Sequence, residues 1–124
     1  MPYTCGDILF FYTDKTKNLA KAKYHLCVCT RSGLYLFINS NPFQGSFRIT
    51  RTDFPALPKP ESHVSCNAPV LYRASSLARY RVQLRGRLTD ECLRRLMAHV
   101  EESDVMPQED IETVVSAIFN HLSG

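Results

Sequence analysis

Residues 24–39 read YHLCVCTRSGLYLFIN, and this stretch decides the fold. Over 24–30 the side chains alternate. His25, Cys27 and Cys29 share one face, and Tyr24, Leu26, Val28 and Thr30 share the other, which is the period of a strand. Arg31-Ser32-Gly33 is a tight connection ending in glycine, and 34–39 returns as a second apolar run, so the stretch predicts a β-hairpin. Upstream, ILFFY at 8–12 follows a Gly6-Asp7 turn signal and predicts a further strand. The intervening residues 15–23 are rich in lysine (Lys15, Lys17, Lys21, Lys23) and predict an exposed loop. Downstream, 40–46 is turn-rich and 47–50 fits a short strand. FPALPKP at 54–60 holds three of the seven prolines and predicts a stiff surface connection without regular structure. Residues 64–71 fit a strand that Pro69 bulges or places on an edge. Residues 79–85 alternate again, with Tyr80, Val82 and Leu84 on one side and Arg79, Arg81, Gln83 and Arg85 on the other. This predicts a half-buried strand carrying an arginine ladder.

Two helices close the chain. Thr89-Asp90-Glu91 makes a cap with acidic charge where the helix dipole favours it, and Leu93, Leu96, Met97 and Val100 keep helical spacing. Pro107 fits the first turn of a second helix, in which Ile111, Val114, Val115, Ile118, Phe119 and Leu122 hold the same period. Strands followed by helices imply a single α+β domain over 1–124. A small curled sheet or barrel covers about 6–88, and helices cover about 89–102 and 107–122.

The 124 residues are 44% hydrophobic and 22% charged, which excludes a largely disordered chain. No apolar run approaches the ~20 residues of a membrane helix. MPYTCGD lacks a basic segment followed by an apolar one, so a cytoplasmic chain without a secretory signal is expected. The five cysteines, at 5, 27, 29, 66 and 92, form no C-x-x-C pair. Neither a disulfide framework nor a zinc ribbon is indicated; reduced thiols and no metal or cofactor are the expectation. Charge is uneven. All 15 Lys and Arg lie at or before Arg95, so residues 1–95 carry +9 and residues 96–124 carry −6. A basic body suits a polyanion, and the acidic end suits a solvated face or a partner.

Three places could carry chemistry. Arginines at i, i+2 and i+4 would stand about 6.8 Å apart, near the spacing of phosphates along a strand, although charge on an edge strand also serves against aggregation. His25, with Lys23 just before it, has the imidazole for acid–base work near neutral pH; a lone strand histidine is also common as a structural group. Asn39-Ser40-Asn41 ends the second hairpin strand, where short polar side chains serve binding or simple turn chemistry. Ser65-Cys66-Asn67, with His63 two residues before, is a similar stretch.

The order of these motifs resembles the MazF/PemK-like toxins. Gly6-Asp7-Ile8 looks like the family's opening strand, Leu26-Cys27-Val28-Cys29-Thr30 its second strand, and Leu36-Phe37-Ile38-Asn39-Ser40 the next, which ends in an active-site Thr or Ser. Gly86-Arg87-Leu88-Thr89-Asp90-Glu91-Cys92-Leu93 resembles the segment leading into the helix. The likeness spans roughly residues 6–100. It implies a small SH3-like β-barrel with appended helices, paired as a homodimer. The implied activity is metal-independent endoribonuclease cleavage of single-stranded RNA, restrained by a cognate antitoxin. Where the family carries a catalytic Arg-Pro, this chain has Tyr24-His25 preceded by Lys23. The resemblance therefore points to Ser40, His25 and Lys23 as catalytic. Arg79, Arg81, Arg85, Asn39 and Asn41 are expected to contact RNA. Two other classes fit the sequence: a non-catalytic SH3-like module that binds nucleic acid or protein, and an adaptor working through the acidic terminal helix.

Overall fold

A computed structural model describes residues 3–15 and 21–124. Its elements run β1 (Asp7–Phe11), β2 (Lys23–Cys29), β3 (Leu34–Asn39), β4 (Phe47–Thr50), β5 (Glu61–Val64), β6 (Val70–Leu71), α1 (Ala74–Leu77), β7 (Gln83–Arg87), α2 (Asp90–Glu101) and α3 (Gln108–Ser123). The strands form one antiparallel sheet in the order β4-β5-β3-β2-β1-β7, with β6 pairing β3. The expected hairpin is β2–β3, in register Tyr24↔Ile38, His25↔Phe37 and Leu26↔Leu36. Its turn needs Gly33, which has φ 71° and no room for a Cβ against the Tyr72 carbonyl.

The sheet curls but stops at a half-barrel: among the described residues, β4 and β7 are edges with no pairing between them. The 51–57 turn fills the gap. Phe54 is 1% exposed and lies against Gly86, the Thr89 N–H donates to the Asp53 carbonyl at 3.1 Å, and Arg95 pairs with the Asp53 carboxylate. FPALPKP is thus not a surface strap along its whole length, because Phe54 and Leu57 are core residues.

Both sheet faces are covered. On the inner face Ile8, Leu26, Leu36, Ile38, Ile49 and Val64 pack with Leu93, Leu96 and Val100 of α2 and with Val114 and Ile118 of α3. On the outer face Leu9, Phe11, Cys27 and Tyr35 lie beneath Val70, Tyr72, Leu77, Tyr80 and Val82. Burial from two sides makes the strands read as nearly continuous apolar runs. The Thr89 hydroxyl accepts from the Cys92 N–H at 3.1 Å, so the cap expected there forms. None of the helices is long and apolar enough to cross a membrane, among the described residues.

Several expectations need correction. Residues 64–71 are not one strand: β5 ends at Val64, the Ser65 N–H still donates to the Phe37 carbonyl at 2.8 Å, and pairing resumes only at Val70, just after Pro69, which has no N–H to give. Only 83–87 of the arginine segment is strand; α1 and a turn precede it, so Arg79 and Arg81 are not part of a ladder with Arg85. A bulge between Cys27 and Cys29 turns Cys29 toward the inner core, away from the His25 face. Pro107 caps α3 from just outside rather than joining its first turn. The lysine-rich loop expected at 15–23 falls largely on residues 16–20, which lie outside the described residues.

Candidate functional site

Antiparallel register builds a polar row on the outer face. Tyr24 opposes Ile38, which sets Lys23 of β2 beside Asn39 of β3; Asn39 opposes His63 of β5, and His63 opposes Arg48 of β4. Side chains opposite one another in a sheet point the same way. Lys23 Nζ donates to Asn39 Oδ1 and stands 5.7 Å from the centre of the Phe37 ring. Partial burial lowers the Lys23 pKa from its ordinary value, because the ammonium loses hydration. One residue on, Ser40 is exposed and its Oγ accepts from Lys59 Nζ at 3.0 Å. Arg48 Nε donates to Glu61 Oε1 at 3.0 Å, and this partner holds the Glu61 carboxyl below its usual range.

His63 is 5% exposed. Its Nε2 lies 3.2 Å from Glu61 Oε2, within ion-pair range, and has no other partner among the described residues.

His25 does not belong to this patch. It is fully buried and stacked on Phe11, with ring centres 4.0 Å apart. Its Nδ1 lies 2.9 Å from the Lys23 carbonyl and its Nε2 lies 2.9 Å from the Tyr72 hydroxyl. A carbonyl only accepts, so Nδ1 carries the proton and Nε2 takes the Tyr72 hydrogen bond. Tyr72 Oη in turn lies 2.8 Å from Thr13 Oγ1, which accepts from the Lys15 N–H at 3.1 Å. Burial pushes the His25 pKa down to about 4; the bond to the Lys23 carbonyl opposes this and the Lys23 charge adds to it. The ring is neutral at pH 7, with both nitrogens engaged. Its evident work is to hold the backbone from which Lys23 projects.

Lys23 and Asn39 therefore lie together, with Ser40 and the exposed Asn41 following on the chain, while His25 is separated from them in the core. Arg79, Arg81 and Arg85 are exposed, and Arg85 stands on β7, three strands from β3, about 14 Å from the β3 end by strand spacing. The Arg85 guanidinium lies 4.5 Å from the Phe10 ring centre and donates to Gln83 Oε1. Arg81, Lys21, Lys23, Lys59 and Arg48 still share the end of the sheet where β1 finishes, β2 begins and β3 finishes. Lys59 and His63 enter the patch only through the fold; nothing in their local sequence singles them out for it. No family model, no curated protein and no solved structure matches this chain.

Proposed function

We propose that this protein is a toxin-like, metal-independent endoribonuclease that binds single-stranded RNA along the cationic end of the sheet. The observation that carries the reading is the convergence of Lys23, Asn39, Ser40 and Lys59, from the start of one strand, the end of its neighbour and a crossing loop. These are the two strand ends that the resemblance to MazF/PemK-like toxins assigns to catalysis. In this reading the half-barrel is an opened SH3-like barrel, active as a cytoplasmic homodimer and restrained by an antitoxin.

Cleavage proceeds by attack of the ribose 2′-hydroxyl on the adjacent phosphorus. The pentavalent phosphorane carries extra negative charge, which two ammonium groups and a hydroxyl donor stabilise. Lys23 and Lys59 supply the charge, and Ser40 donates to a non-bridging oxygen. His25, with both ring nitrogens bonded within the core, takes no part in proton transfer in this reading.

The test is incubation of the wild type and Ser40→Ala with a defined single-stranded RNA in EDTA, followed by end mapping. Discrete wild-type fragments ending in 2′,3′-cyclic phosphate, reduced at least ~100-fold in Ser40→Ala, are expected. Intact RNA from folded wild type would end the nuclease reading. A second reading, a non-catalytic RNA-binding module, is favoured by one observation: the histidine that the resemblance makes catalytic is locked into the core. Salt-sensitive RNA retention on filters without strand breakage would select it.

A further inference from the structure

On the side of the molecule away from the RNA patch, a cavity of about 610 Å³ opens between the β2–β3 turn and α3. Cys5 and Cys29 both line it, with Arg31 beside them and Glu109, Glu112 and Asn120 across from them. The pairing of β1 with β2 runs Ile8↔Leu26 to Phe11↔Lys23. Ahead of that ladder Cys5 and Gly6 form the turn that leads into β1, closed by the Asp7 N–H donating to the Thr4 carbonyl at 3.0 Å. The chains stay in contact past the ladder, for the Gly6 N–H donates to the Cys27 carbonyl at 2.8 Å. The bulge after Cys27 turns Cys29 onto the same inner face as Cys5. Both sulfurs line one cavity wall and pack in one core cluster, and Cys29 is among the charges that act on the Cys5 thiol, so the two lie near one another.

We propose that Cys29 is a peroxide-oxidisable thiol and that Cys5 resolves it as an intramolecular disulfide. The two sites differ in the way such a pair requires. Cys29 is partly exposed, whereas Cys5 is buried. Burial raises the Cys29 thiol, but the Ser32 hydroxyl, the Ser32 and Arg31 N–H groups and the Arg31 charge outweigh it and leave its pKa below the ordinary value. Burial pushes the thiols of Cys5, Cys27, Cys66 and Cys92 up to about 12. Only Cys29 combines access with thiolate character.

The chemistry balances with hydrogen peroxide as the oxidant. The Cys29 thiolate attacks one peroxide oxygen, the O–O bond breaks, and hydroxide leaves, giving a sulfenic acid. The Cys5 thiol then attacks the Cys29 sulfur, forming the S–S bond and breaking the S–O bond, and water leaves. The sum is two thiols and one peroxide giving one disulfide and two waters. The product ties the chain before β1 to the hairpin.

The test treats the reduced full-length protein with hydrogen peroxide at pH 7, then alkylates, digests and analyses it by mass spectrometry. Expected are a monomer lighter by about 2 Da and a peptide linking Cys5 to Cys29. In Cys5→Ser, Cys29 should instead accumulate as a sulfenic acid trapped by dimedone; Cys29→Ser should form neither product. In the untreated wild type, iodoacetamide should label Cys29 at least ~10-fold faster than the other thiols. A different cysteine pair, an intermolecular Cys29 disulfide, or five fully alkylatable thiols after peroxide would overturn the proposal. If Cys5→Ser does not fold, the wild-type cross-link and labelling rates decide alone.

Discussion

His25 stacks on Phe11 and gives both ring nitrogens to protein partners, so its proton uptake is opposed by everything around it. Its pKa falls from 6.5 to about 4 on folding. Above pH 6.5 both folded and unfolded rings are neutral, and the full stability is present. Between about 6.5 and 4 the unfolded chain gains a proton that the folded chain refuses, so stability falls with pH. The loss amounts to roughly 3 kcal/mol over that window. Urea denaturation of the wild type should show this slope, and His25→Gln should lack it while being less stable at pH 7. In the patch, Lys23, Asn39 and Ser40 were legible because a strand start and a strand end carry visible polar residues. Lys59 and His63 were not, because nothing local distinguishes a proline-segment lysine or a strand histidine that meets Ser40 or Asn39 only after three strands pair.

The β2–β3 hairpin follows from strict alternation and a glycine at the turn, and both are local properties. Gly33→Ala combines a left-handed backbone with a clash against the Tyr72 carbonyl, which a backbone atom relieves only by moving β6. A loss above ~2 kcal/mol in thermal or urea unfolding is expected. Thr89→Ala should cost only about 1 kcal/mol, the usual value of one cap hydrogen bond, because the rest of α2 is held by packing. The segment 79–85 shows where alternation misleads. Tyr80 and Val82 do pack under the sheet with Tyr72, but from a turn that follows α1, and a turn over an apolar face produces the same in–out pattern as a strand. The 64–71 segment fails for a different reason, since its ladder breaks off after Val64 and is taken up again by Val70 and Leu71 at the other end of the same edge of β3.

Charge is separated across the fold. The acidic helix α3 packs on the inner face and lines the cavity at the Cys29 end, whereas Lys23 and Arg48 stand at the opposite end on the outer face, with Lys59 beside Ser40. The acidic element thus leaves the cationic patch open to a polyanion. Replacing Lys23 or Lys59 by Gln should lower the salt slope of RNA retention by about one unit each, as measured by filter binding across salt concentrations. Val114 and Ile118 of α3 are fully buried in the main core, so α3 is structural. Deleting residues 104–124 should abolish the cooperative unfolding transition in circular dichroism; a folded remnant that had lost only partner binding would restore the adaptor reading. The sequence by itself determined the α+β class, the hairpin, both long helices and the polar strand ends, because periodicity, capping and turn chemistry act over a few residues. Only the tertiary structure decided that the sheet stays an open half-barrel plugged by Phe54, that His25 is sealed in, that Lys59 meets Ser40 and that His63 lies opposite Asn39. Those outcomes depend on which distant surfaces bury one another, and the free energy of that burial is written in no single segment.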